Sequence, residues 1–285
     1  MDTRISSSTK EVVIGSSRPT VLIGERINPA GKKKLAEALR AGDLEIVHSE
    51  ALAQVQAGAD ILDVNVSAEG VDEIALLPRV VKTVMETVSV PLCIDSADIK
   101  ALKAALAVYK GKPLINSVTG EEQSLASVLP VIKQHGAAVV GLLQDDNGVP
   151  PDSERRVVIA HRIVERAAAL GIPAEDIIID PLALAIAADT KAGLVTLETC
   201  RRIKSELGVN MTLGASNISF GLPDRHQVSN TFLAMAIAAG ITCPIVDVTK
   251  VHPVVLAADL ALGRDDFARR YLKAYRERQT SGQGV

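Results

Sequence analysis

From Thr20 to its end the chain alternates short β-branched runs with longer Ala/Leu/Lys/Glu stretches of helical spacing. That alternation is the mark of parallel βαβ units, because parallel strands need a crossover element between them. Eight strand candidates can be read: TVLIGERIN from Thr20, ADILDVNV from Ala59, VPLCIDS from Val90, PLINSVTG from Pro113, AAVVGLLQDD from Ala137, IIIDPLA from Ile177, MTLGASNISF from Met211 and CPIVDVT from Cys243. Helices are expected between them, for example from Glu50 to Ala57, Asp98 to Tyr109 and Ser153 to Leu170, with Asp98 and Asp152 as starts and the glycines of HGAA and LGIP as ends. A count of eight predicts a single-domain α/β chain, a (β/α)8 TIM barrel over residues 20–285, preceded by an N-terminal extension over 1–19. An open doubly wound sheet would also carry a GxGxxG turn after its first strand, and GERINPAGKKK is not one. The tail beyond Gly263, ending TSGQGV, reads as a last helix with a frayed end.

The size agrees, since 285 residues lie near the roughly 250 of a typical barrel. A formal net charge of -3 lacks the basic excess that nucleic acid demands. The N-terminus has no signal-peptide core and no apolar run reaches the roughly 18 residues of a membrane span, so a cytoplasmic protein is expected. Cys93, Cys200 and Cys243 are scattered and odd in number, which predicts reduced, buried thiols rather than disulfides or a CxxC metal site. With only 2% aromatic residues, any ring that binds must be held chiefly by hydrogen bonds to its edge.

In a barrel the active site lies at the C-terminal ends of the strands, so the polar residues that close each apolar run are the candidates. They are Glu25, Arg26 and Asn28; Asp63 and Asn65; Asp95 and Ser96; Asn116 and Ser117; Gln144 and Asp145; Asp180; Ser216 and Asn217; and Asp247. Any one of them can instead close a strand by bonding local backbone. Converging carboxylates and carboxamides with almost no His or Lys point to a neutral ring rich in N–H donors. Metal hydrolysis usually recruits His, yet His48, His135, His161, His226 and His252 close no strand, so no metal is expected. Schiff-base chemistry needs a barrel lysine, and Lys250 alone comes near. A phosphate cradle after strands seven and eight is matched only in part.

The strand ends GERIN, DVN, IDS, INS, IDP and GASNISFGLPDR, each in its place from Gly24 to Asp247, resemble those of the pterin-binding family. That family includes methyltetrahydrofolate:corrinoid methyltransferases, the folate module of cobalamin-dependent methionine synthase, and dihydropteroate synthase. The methyltransferase branch is the more similar, because the second-strand loop DVNVSAEGVDE and the GASN element lack the synthase pattern. The resemblance implies a methyltransferase that moves a methyl group between N5 of methyltetrahydrofolate and the cobalt of a corrinoid (cobalamin). The corrinoid would be carried by a partner protein, and the resemblance implies a homodimer. It assigns Asp95, Asn116 and Asp180 to the pterin edge, with Asp180 making the paired contact to N3 and the 2-amino group, and Asn217 to N5 as the catalytic residue. Asn28 and Asn65 would support these anchors, Ser96 would touch the pterin edge or local backbone, and Arg225 would meet the benzoyl-glutamate tail or stay solvated. Glu25 and Arg26 form either an ion pair or a ligand contact, and Phe220, Leu222 and the loop from Asp145 to Pro151 are the expected docking surface. The rival readings are a dihydropteroate synthase-like condensing enzyme and a non-catalytic pterin-binding subunit. The ending VDVTKVHP and the acidic second-strand loop depart from the family pattern.

Overall fold

The computed structural model describes residues 1–280, so the last part of the expected frayed end, from Ser281, lies outside the described residues. Two antiparallel strands, β1 (Asp2–Ser6) and β2 (Glu11–Gly15), open the chain. The barrel strands follow as β3 (Ile23–Ile27), β4 (Ile61–Asn65), β5 (Leu92–Asp95), β6 (Leu114–Thr119), β7 (Ala138–Leu142), β8 (Ile177–Asp180), β9 (Asn210–Met211) and β10 (Ile245–Val246). They form one sheet in the order β10-β3-β4-β5-β6-β7-β8-β9, every neighbouring pair parallel. Ile245 N donates to Leu213 O at 2.9 Å and Ile245 bridges Gly214 in parallel, which brings β10 back against the end of β9 and closes the ring.

Each crossover contains a helix: α1 (Lys33–Ala41) with α2 (Glu45–Gln56), then α3 (Glu73–Thr87), α4 (Ile99–Val108), α5 (Glu122–His135), α6 (Ser153–Ala169), α7 (Ala192–Glu206) and α8 (Arg225–Ala239). α9 (Val248–Ala261) and α10 (Arg269–Thr280) end the described chain. The expected starts hold, because Asp98 caps α4 by accepting from Lys100 N at 2.7 Å and Asp152 caps α6 by accepting from Arg155 N at 2.9 Å. α5 stops at Gly136, whose φ of 60° closes the helix without the penalty a Cβ would bring. All three cysteines are buried and free.

The strand period of two sorts the core into two layers. Outward residues such as Leu62, Ile94, Val139 and Ile179 pack under the helices against Val80, Leu102, Leu129 and Ile163. Inward residues Ile23, Ile61, Cys93, Leu114, Val140 and Ile178 instead meet Ile5, Val12 and Ile14 of the hairpin. Ser6 N bonds Lys112 O at 2.9 Å, and Asn210 Nδ2 bonds Ile14 O at 3.1 Å, so the hairpin sits at the N-terminal ends of the strands. The segment set apart on sequence grounds as an extension therefore plugs the barrel floor, and the polar end of the barrel is the opposite one.

The first and last βα units are tied by Asp259, fully buried near the end of α9. Its carboxylate accepts from Thr20 N at 2.9 Å and Thr20 Oγ1 at 2.7 Å, and faces Arg270 at 3.0 Å and Arg264 at 3.6 Å. Removing one member of a buried charge cluster leaves the others uncompensated. Asp259→Ala is accordingly expected to lower stability by about 3 kcal/mol, read from the urea midpoint, with Asp259→Asn losing less.

Candidate functional site

Moving two residues up each strand from the floor layer keeps the side chain on the inward face. From Ile23 that step gives Glu25, from Ile61 Asp63, from Cys93 Asp95, from Leu114 Asn116 and from Ile178 Asp180. An apolar floor thus passes into a polar layer within one pleat. Registry then sets Asn65 beside Asp95, and Asp95 beside Asn116, across three neighbouring strands.

The amides in this layer are already oriented. Asn65 accepts from Ser67 N at 2.7 Å through Oδ1, and its amide stands beside Asp95, whose ionised form it favours. Asn116 Nδ2 donates to Asp63 Oδ1 at 3.3 Å, which leaves its carbonyl oxygen unused. Asp180 Oδ1 accepts from Leu182 N at 2.8 Å. Among the described residues, no Lys, Arg or His forms an ion pair with Asp63, Asp95 or Asp180. Three carboxyls sit 2% exposed, half-buried and 7% exposed at Asp63, Asp95 and Asp180, none of them in an ion pair, with the Arg156 charge acting on Asp180 from a distance.

Desolvation consequently favours their neutral forms. Burial, then the neighbouring Asp95 carboxylate, pushes Asp63 well above the usual carboxylate range, and burial raises Asp95 against the opposing Asn65 hydrogen bond. Burial also raises Asp180 to about 7, opposed by the Leu182 N–H and the Arg156 charge. Arg156 is itself buried within α6 and binds the β8 loop, donating from Nη1 to Pro181 O and Leu182 O at 2.8 Å each and from Nε to Pro150 O at 2.9 Å. It fixes the backbone that carries Asp180. Asp95 and Asn116 also line a cavity of about 380 Å³ with Ser96, Thr119 and Glu121.

A second, charged group stands at the ends of β3 and β10. Arg26 pairs with Glu50 of α2 at 3.0 Å and lies 3.7 Å from Asp247, which meets Lys250 at 3.3 Å. Of the two expected readings for Glu25 and Arg26, the mutual ion pair is corrected, because Arg26 takes Glu50 and approaches Asp247 instead, while both residues line one cavity. Burial raises the Glu25 carboxyl. Glu25, Asp247 and Lys250 border a cavity of about 310 Å³ whose far wall holds Ser216 and Arg225.

Asn217 lies in the 3-10 turn Ala215–Ser219 after β9, exposed at the same end of the barrel. A Cβ on Gly214 would come within 3.1 Å of Asn217 Nδ2, so the glycine leaves the space in which this amide rests.

Asp95 and Asn116 are thus brought together with Asp63, and Asp180 joins them on the inward face. Other expected residues are engaged elsewhere. Ser96 donates to Glu73 Oε2 at 2.9 Å and accepts from Asp98 N at 3.1 Å, Asn28 Oδ1 accepts from Ala30 N at 3.0 Å, and Arg225 bonds the β9 turn. Gln144 and Asp145 fall beyond β7, where Gln144 donates to Glu121 at 3.2 Å and Asp145 accepts from Asn147 N at 2.9 Å. Asp63 was legible as a strand end yet not as a member of the acceptor group; Arg156, one of two arginines early in a helix, gave no sequence sign.

A raised carboxyl makes a directional prediction for the ligand-free protein. Asp180 ionises near 3.8 when unfolded and near 7 when folded, so its contribution to stability is present below pH 4 and is lost as pH rises to 7. Asp180→Asn removes that dependence. Its melting temperature minus that of the wild type should be near zero at pH 4 and positive at pH 8.

Comparison with known proteins agrees with the geometry. The family model described as pterin binding enzyme matches residues 24–247. The chain is 32% identical over 267 residues to a methylcorrinoid:tetrahydrofolate methyltransferase of Eubacterium limosum, covering 90% of this chain and 96% of that protein. It is likewise 32% identical over 263 residues to methionine synthase of Mycobacterium tuberculosis (strain ATCC 25618 / H37Rv), covering 88% of this chain but only 22% of that protein. Among solved structures, dihydropteroate synthase from Xanthomonas albilineans in complex with 7,8-dihydropteroate superposes with a TM-score of 0.65 at 20% identity, covering 88% of this chain and 95% of that one. The Stenotrophomonas maltophilia enzyme gives 0.66 at 21% identity, covering 87% and 95%. At these identities the structural likeness speaks for the fold alone.

Proposed function

This chain belongs to the pterin-binding enzyme family, and from that premise we propose that it transfers a methyl group between N5 of tetrahydrofolate and the cobalt of a corrinoid held by a partner protein. The observation that carries this reading is the buried acceptor layer, in which Asp63, Asp95 and Asp180 form no ion pair and Asn116 keeps an unused carbonyl. A reduced pterin presents N–H donors along one edge, and such donors replace the water these groups lost on folding. Asp180 would take the paired N–H groups of N3 and the 2-amino substituent. Asp95 and Asn116 would take the remaining ring edge, with Asn65 and Asp63 holding them in orientation. The methyltransferase from Eubacterium limosum, matched along nearly its full length, supports methyl transfer over other pterin chemistry.

Chemically, the cobalt in its Co(I) state supplies both electrons of the new Co–CH3 bond. The electron pair of the broken C–N bond stays on N5, which ends as N–H after taking a proton from solvent. An unassisted N5 is a poor leaving group, so a hydrogen bond that strengthens as charge changes there lowers the barrier. Asn217 is assigned that bond: its amide has no titrating group and can donate to N5 or accept from protonated N5. The reverse transfer uses the same contacts. Phe220, 68% exposed beside the Asn217 turn, lies on the surface where a corrinoid protein would dock.

The test mixes the protein with Co(I) cobalamin and methyltetrahydrofolate and follows the cobalt spectrum. Appearance of methylcobalamin is expected, and folate binding without it would leave a pterin-binding protein rather than a methyltransferase. Asn217→Ala is expected to slow the transfer about 100-fold, the scale of losing one transition-state hydrogen bond, with folate affinity changed far less. An unaltered rate would remove Asn217 from the mechanism.

A further inference from the structure

Arg225 opens α8 and turns back over the loop that precedes it. Its Nη2 donates to Ser216 O at 2.9 Å and its Nε to Ser219 Oγ at 3.2 Å. These two acceptors flank Asn217 in sequence, one residue before it and two after. The guanidinium carbon also lies 5.6 Å from the centre of the Phe220 ring. Ser219 Oγ is itself held at 2.7 Å by Ser229 Oγ, one turn further along α8. Asp224, with φ of 46°, reverses the chain just ahead of the helix so that its first side chain faces the turn. Among the described residues, Arg225 forms no ion pair with a carboxylate, so these contacts are its engagements.

A short 3-10 turn has poor intrinsic hydrogen bonding, and although Ala215, Ile218 and Ser219 anchor this one in the core, Asn217 itself is exposed. Asn217 makes only backbone hydrogen bonds here, through its N–H to Gly214 O at 3.2 Å and its C=O to Phe220 N at 3.1 Å. What fixes its amide relative to the barrel must therefore come from the turn's surroundings. Gly214 leaves room beneath it, and Arg225 grips the turn on either side. We infer that Arg225 is a positioning residue, which acts on methyl transfer through Asn217 rather than by holding the folate tail. This rests on the role given to Asn217 above. A planar fork with fixed donor directions suits the task, and a lysine ammonium cannot reproduce it.

The test is a double-mutant cycle on the full chain, with two readouts. One is the dissociation constant for tetrahydrofolate; the other is the rate of methyl transfer from methyltetrahydrofolate to Co(I) cobalamin at saturating folate. Arg225→Ala is expected to lower the rate about 10- to 100-fold, as small displacements of a reacting constellation do, with the dissociation constant changed less than about threefold. In an Asn217→Ala background the same substitution should cost less than about twofold, since two residues acting through one contact do not add. Ser219→Ala, which removes one of the grips and keeps the charge, should show the same pattern at smaller size, and it serves if Arg225→Ala does not fold. Weaker folate binding with an unchanged saturating rate would overturn the inference and return Arg225 to the ligand. Fully additive losses would overturn it as well. Absence of transfer by the wild-type protein would defeat the methyltransferase reading itself, a result separate from either of these.

Discussion

Everything at the open end of this barrel depends on carboxyl groups that have been largely taken out of water without an ion-pair partner. A buried, unpaired carboxylate is costly, and a protein ordinarily avoids the cost by pairing or exposing the group. Here Asp63, Asp95 and Asp180 are kept on the inward face by the same strand period that places Ile61, Cys93 and Ile178 on the floor below. The closed sheet leaves them no other direction to point. Their raised pKa values are the record of that constraint, and a ligand edge made of N–H donors is its natural relief.

The rest of the fold serves to hold this layer in place. The hairpin β1–β2 seals the opposite mouth with Ile5, Val12 and Ile14, so the interior is apolar up to the level of the carboxyls. Asp259 joins Thr20 to α9 and ties the first βα unit to the last beside the β3–β10 pairing. Arg156 binds the backbone of the β8 loop and Arg225 binds the backbone and the Ser219 hydroxyl of the β9 turn, so each arginine ties down a segment that carries a candidate site residue. The residues proposed to hold the ring stand at strand ends, while the residue proposed for the chemistry sits on a turn. On the proposed reading, binding and transfer rest on separate parts of the structure.

The eight strands, their order and the inward polar ends were legible because hydrophobic periodicity and terminal Asp or Asn are local signals. Asp98, Asp152 and Gly136 showed where helices begin and end for the same reason. What escaped was long-range. Nothing local tells that Arg26 reaches Glu50 rather than Glu25, that Ser96 turns to Glu73, or that Arg156 crosses from α6 to the β8 loop. The hairpin was invisible as a floor because its three inward residues acquire meaning only against strands spread along the whole chain, from Ile23 to Ile178. Asp63 lay in plain view, yet its partnership with Asn116 joins residues 53 positions apart.

The central claim, that donors on a pterin edge relieve buried carboxyls, has a thermodynamic signature. Donors favour the ionised form, so carboxyls that are partly protonated in the free protein must release protons when the ligand binds. Calorimetric titration of tetrahydrofolate at pH 7, repeated in buffers of different ionisation enthalpy, measures that release directly. The account predicts net proton release, diminished in Asp180→Asn, whereas a binding heat independent of the buffer would contradict it.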